Sequence, residues 1–244
     1  MGVDGPAPLS ATLRALLQRP GTITRAILDG RPAEYVGPGR LLLGFAAAFF
    51  LLTALQLRST PAQSPDVAAA CSGSGVTSDL GVLLGAAQAP GVTANASPAA
   101  ATVLRVASDA LCNPRKFTRA FGLAIPVAFL LLMPLSAALM QVAFRTQLPG
   151  FAGNWLYALE AHAALFALLT ALALVSLTGS TLLGVLASLA GLVYASWNLV
   201  AGVQRAYRVS ARAAAWKTTA VGVVYALVLT IVSALLGWAQ LARN

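Results

Sequence analysis

The sequence predicts an all-α integral membrane protein: five transmembrane helices, an amphipathic N-terminal cytoplasmic segment, and one long periplasmic loop containing a short helix. Three observations predict it. Of the 244 residues, 58% are hydrophobic and only 9% charged, against roughly a quarter charged in a soluble globular domain. Five apolar stretches, at about 41–57, 120–144, 156–178, 182–203 and 218–238, each approach the roughly 17 to 25 helical residues that cross a hydrocarbon core of about 30 Å. The sixteen Lys and Arg outnumber seven Asp and Glu, for a net charge of +9, and fourteen of those cations are Arg, mostly at the ends of apolar runs. A nucleic-acid-binding protein would gather its cations on a polar face among stacking aromatics. Here the charge reads as topology and as attraction to anionic lipid.

Residues 1–40 form a leader with two short helices. In the first, Ser10 is placed to cap, Leu9, Leu13, Leu16 and Leu17 share one face, and Arg14 and Arg19 point elsewhere before Pro20 and Gly21 end it. Thr22 is placed to cap the second, with Ile23, Ile27 and Leu28 apolar, and Gly30 with Pro32 stops it. Such basic helices lie in the membrane interface or pack on the ends of the protein's own spans, and the two are compatible. Arg14, Arg19, Arg25 and Arg31, with Tyr207, Arg212 and Lys217, form the expected cytoplasmic surface for lipid or a docking partner. Span one begins too late in the chain for the short charged region of a cleaved signal peptide.

Residues 41–244 supply the membrane domain. Arg40 and Arg58 bracket the first span, Arg119 and Arg145 the second, and Trp155, Trp216 and Trp238 fall at span ends, where amphipathic rings belong. Pro126 and Pro134 should kink the second span by removing internal hydrogen bonds. Ala187, Gly191 and Ala195, and likewise Gly222, Ala226 and Thr230, form small-residue stripes suited to close helix approach. The leader and the connection holding Arg205, Arg208, Arg212 and Lys217 share one side if the spans alternate. The positive-inside rule makes that side the cytoplasm, with the N-terminus inside and the C-terminus outside.

The opposite side carries the loop 58–118, in which SPAAATVLRVASDALC, from Ser97, has the cap, proline and apolar face of a short helix. Cys71 and Cys112 both lie in this loop. In an oxidising periplasm a disulfide between them, closing about forty residues, would stabilise by roughly 4 kcal/mol on chain-entropy grounds; two free thiols are the alternative.

Catalytic templates are missing. There is no H-E-x-x-H, C-x-x-C, G-x-G-x-x-G, P-loop or nucleophile elbow, and one histidine with two separated cysteines makes no zinc site. No cofactor and no metal are expected, and the chain reads as a non-enzyme.

Glu160 and His162 nonetheless interrupt the third span. An ionisable group in a span costs a few kcal/mol and normally has a partner. Two positions apart on a helix is a rotation of about 200°, so each needs a partner on another element. The expected cluster pairs Glu160 with Arg205 or Arg208 and includes His162 or Asn198, either as a lock between spans three and four or as a site handling a proton or ligand.

LLQRPGTITRAILDGRPAEYVGPGRLLL, YALEAHAALFALL and GVQRAYRVSARAAAWKT together resemble an uncharacterised bacterial membrane family that often carries an N-terminal zinc ribbon. The five-span plan is also similar to Yip-type membrane proteins, whose eukaryotic members associate with small GTPases and vesicle membranes. The ribbon is absent here, so no metal role carries over. The resemblance singles out Arg19, Pro20, Gly21, Gly30, Arg31, Glu160, His162, Arg205 and Tyr207, and implies the bacterial inner membrane but no established activity.

The expected function is therefore a non-enzymatic scaffold or accessory subunit of a membrane complex, binding anionic lipid and other membrane proteins or itself, with no nucleic acid. The alternative is a small transporter or lipid-handling protein built around Glu160 and His162.

Overall fold

The computed structural model describes residues 9–59, 124–147 and 150–242. Among these, the regular elements are helical: α1 Leu9–Gln18, α2 Thr22–Leu28, a 3-10 turn Pro32–Glu34, α3 Pro38–Ser59, α4 Ala124–Leu131, α5 Met133–Ala143, α6 Phe151–Ser176, α7 Thr181–Tyr207 and α8 Ala211–Ala242. α3, α6, α7 and α8 are each long and apolar enough to cross a membrane, and α4 with α5 form a fifth span if their bent pair counts as one. The chain is a multi-pass membrane protein. Large apolar side chains that would aggregate in water stand open along these helices, Leu43, Leu182 and Val193 each about 70% exposed, as lipid-facing residues should.

Local sequence sets the breaks. Pro20 and Gly21 separate α1 from α2, and Gly30, at φ +79°, follows α2. The bend between α4 and α5 is 48° and falls one residue before Met133, with Pro134 in the first turn of α5. Its missing N–H and ring clash interrupt the ladder there, as the sequence predicts. Ser180 caps α7, its hydroxyl accepting from the Leu183 N–H at 3.3 Å.

Everything described below lies in one compact unit, residues 9–55 and 125–233; residues 56–59, 124 and 234–242 belong to a second. α6 is the centre of the first, packing on α5 and α7 and on both leader helices. One core joins Leu16 and Ile23 of the leader, Leu41 and Leu42 of α3, Met133 and Phe166, with Phe49 and Phe50 edge-on to one another beside Phe166. A second joins Met140, Phe144, Tyr157, Val203, Tyr207 and Ala214. Gly191, from the stripe on α7, meets Leu168 and Leu172 of α6. Gly222, from the stripe on α8, meets nothing within 4 Å.

The Cys71–Cys112 pairing and the helix expected from Ser97 lie outside the described residues, as does loop 58–118 from residue 60 onward.

Candidate functional site

The leader is seated against the spans. Thr12, Leu16, Ile23 and Thr24 are fully buried, and burying Leu16 and Ile23 contributes about 1.5–3 kcal/mol each relative to exposure in water. Its turn at Pro20 and Gly21 rests on the backbone of α7. Gly21 has φ +81°, and a Cβ there would lie 2.3 Å from the Gly202 carbonyl oxygen, so the approach requires glycine on conformational and steric grounds alike. Gly202 is hemmed in too, since its own Cβ would lie 2.8 Å from Tyr157 Oη.

Breaking one helix into two leaves unsatisfied carbonyls at the end of α1 and unsatisfied N–H groups at the start of α2. The spans satisfy both ends. Glu160 Oε1 accepts from the Gly21 N–H at 2.8 Å and Oε2 from the Thr24 N–H at 2.7 Å. The carboxylate thus caps α2 from α6, with the helix dipole adding to the attraction. On the other side, Tyr194 Oη donates to the Leu17 carbonyl at 2.8 Å, Asn198 Nδ2 to the Leu16 carbonyl at 3.4 Å, and Arg205 Nη1 to the Pro20 carbonyl.

The expected pairing of Glu160 with Arg205 or Arg208 is therefore corrected. No guanidinium lies within salt-bridge distance of Glu160 among the described residues; Arg205 serves Pro20, and Arg208 faces Asp29 at 3.4 Å. The reason is the leader, whose free N–H groups reach the carboxylate in the low-dielectric interior, where Arg205 and Arg208, both exposed, do not follow. Thr22 is likewise not the cap of α2: Gly21 holds that position without a side-chain bond.

His162 stands apart from that cluster. Its Nδ1 donates to the Ala158 carbonyl one turn back, at 2.7 Å, and its Nε2 lies 3.1 Å from Tyr225 Oη on α8. Of the cluster expected from sequence, the structure brings Glu160, Asn198 and Arg205 to the leader, Arg208 to Asp29, and His162 to α8. Tyr157, Tyr194, Gly202 and Tyr225 complete these contacts and were missed; the spacing of Gly202 and Arg205 on one face of α7 was the available signal.

The expected docking surface also changes. Tyr207 is buried, donating to Asn154 Oδ1 at 2.8 Å with its ring 4.6 Å from that of Phe144. Lys217 caps α5, donating to the Ala143 carbonyl at 2.7 Å, with its ammonium 4.8 Å from the centre of the Phe144 ring. Arg14, Arg19, Arg31 and Arg212 remain exposed. Arg25, Arg31 and Arg208 surround Asp29. The hydrogen bond from Arg25 holds the Asp29 carboxyl below its ordinary range; desolvation opposes this, and the charges of Arg25, Arg208 and Arg31 add to it.

Behind the leader's seat, residues of α4 to α8 line a partly open slot of about 440 Å³. Leu165 and Leu168 of α6, Leu192 and Leu199 of α7, and Val221 and Leu229 of α8 line it, and Gly222 and Ala226 hold one wall back. Most of the polar side chains on its wall are already engaged: His162 with Tyr225, Tyr157 with the Leu199 carbonyl at 3.0 Å, Tyr194 and Asn198 with the leader, and Ser136 with the Met133 carbonyl. The Thr218 hydroxyl is buried without a partner. A second, open depression at the α6–α7 turn, around Gly179, Thr181 and Gly184, has no ionisable group.

A family model described as "Protein of unknown function (DUF3667)" matches residues 9–50, that is, the leader and the first half of α3. The match includes Pro20 and Gly21 but none of the span residues that hold them. No curated protein and no solved structure matches the chain.

Proposed function

We propose that this chain is a non-enzymatic, lipid-handling membrane protein whose cavity houses the hydrocarbon part of a lipid-like molecule. The observation that supports this reading is a slot of about 440 Å³ whose polar lining groups are nearly all paired within the protein. Water has little to bond there, and apolar cavities stay dry. Hydrocarbon is the solvent at hand to fill the slot. Glu160, part of the site expected from sequence, takes no part because the leader occupies it.

The membrane on this reading is a bacterial inner membrane, with the leader cytoplasmic and the C-terminus periplasmic, supported by the distribution of Arg and Lys. A second reading, an accessory subunit of a larger complex, is supported by Arg14, Arg19, Arg31 and Arg212, which stay exposed with the leader seated.

Purification in native-lipid discs, followed by identification of everything retained, separates the two. A retained lipid that is lost from Gly222→Leu, whose side chain enters open space in the slot, supports the first. A stoichiometric protein partner retained by both forms, with no lipid difference, overturns it in favour of the second.

A further inference from the structure

We infer that the occupant is one acyl chain of an anionic phospholipid, drawn from the leaflet at the α7–α8 turn, with its headgroup held by Arg145 and Arg212. The inference rests on the reading above that the cavity holds hydrocarbon. It adds which lipid, from which side, and what holds its head.

Length assigns the leaflet. Thr218, Val221, Gly222, Tyr225, Ala226 and Leu229 lie on one face of α8 and line the slot; from the first to the last is a rise of about 16 Å, close to half of a hydrocarbon core of about 30 Å. Trp216, exposed two residues before Thr218, sits where an interfacial ring belongs. The slot therefore runs from just under the headgroups to near the bilayer midplane. At about 440 Å³ it is at the small end of the roughly 300–1,000 Å³ of ligand cavities, room for one chain of a two-chain lipid.

Charge assigns the head. No cation lines the slot, so an ionic head entering it would lie unpaired in a low dielectric, and it must stay outside while the tail enters. Among the cations flanking the α7–α8 turn in the chain, Lys217 is held by Ala143 and Phe144, Arg205 by Pro20, and Arg208 by Asp29. Arg145, directly after Phe144, and Arg212, in the first turn of α8, are exposed and form no ion pair among the described residues. Two guanidiniums with free donors suit a phosphate.

The test uses the full chain in phosphatidylcholine vesicles doped with phosphatidylglycerol or phosphatidylcholine carrying the same photoactivatable acyl chain. Crosslinked peptides are read by mass spectrometry. Phosphatidylglycerol should label peptides covering 157–168, 192–203 and 218–229 more strongly than phosphatidylcholine. Arg145→Gln and Arg212→Gln should each lower that labelling about fivefold, the worth of one cation at an anionic surface. Equal labelling by the two lipids, or no effect of the two Arg substitutions in variants with the wild-type unfolding midpoint, overturns the headgroup assignment and leaves the hydrocarbon reading standing. Absence of label from those peptides with either lipid overturns both.

Discussion

Gly21 and Gly202 meet backbone to backbone, so closely that a methyl on Gly21 would stand 2.3 Å from the Gly202 carbonyl oxygen. That contact places the leader's break deep enough for the Gly21 N–H to reach Glu160 at 2.8 Å. The leader is thus part of the bundle's polar interior, its two broken ends closed by side chains of α6 and α7.

Gly21→Ala should unseat this contact. It places a side chain at φ +81° and against a backbone that cannot retreat, and should cost at least about 2 kcal/mol. Chemical unfolding in detergent measures it, and wild-type stability in this variant would contradict the packing.

Glu160→Gln keeps one acceptor oxygen and leaves the second N–H without an equivalent partner, for a loss of about 1–3 kcal/mol. Arg205→Gln, at a more exposed position, should cost about 1 kcal/mol or less, and because Arg205 and Glu160 hold the two ends of the one Pro20–Gly21 peptide, a double-mutant cycle should show the losses coupled rather than adding. Strictly additive losses would contradict this shared grip on one peptide.

Asp29 gives a pH signature. Its folded pKa is lowered, chiefly by the hydrogen bond from Arg25, so its contribution is present above the unfolded value of about 3.9 and is lost as pH falls through the lowered folded value. The stability difference between wild type and Asp29→Asn should hold steady from neutral pH to about 5 and vanish in stronger acid. A difference that grows on acidification would contradict the sign.

Tyr194 touches both sites, its hydroxyl on the Leu17 carbonyl and its ring on the cavity wall. Tyr194→Phe should raise amide exchange at the end of α1 about fivefold, the worth of one hydrogen bond of about 1 kcal/mol. Unchanged exchange would show that this bond does not hold the leader.

The spans were legible because hydropathy and length act residue by residue, and Pro134 announced the bend by the N–H it lacks. The leader's helices were legible from Pro20, Gly21 and Gly30. The seat was not. Glu160 looked like an acid in need of a cation because a sequence shows charges but not the free N–H groups of a broken helix, which appear only once α2 is folded and docked. Tyr207 and Lys217 looked like surface because their positions follow a run of Arg, yet Tyr207 turns inward to Asn154 and Lys217 to Ala143. Gly222 and Ala226 on α8 looked suited to close helix approach, and within this chain they instead border the slot, an outcome fixed by where the opposing helix lies.

Hydrogen exchange at the Gly21 and Thr24 amides, with the full chain in lipid discs, tests the clasp directly. Both amides should exchange slowly in the wild type and approach unprotected rates in Glu160→Ala. Rapid exchange in the wild type, or protection that survives loss of the carboxylate, would contradict it.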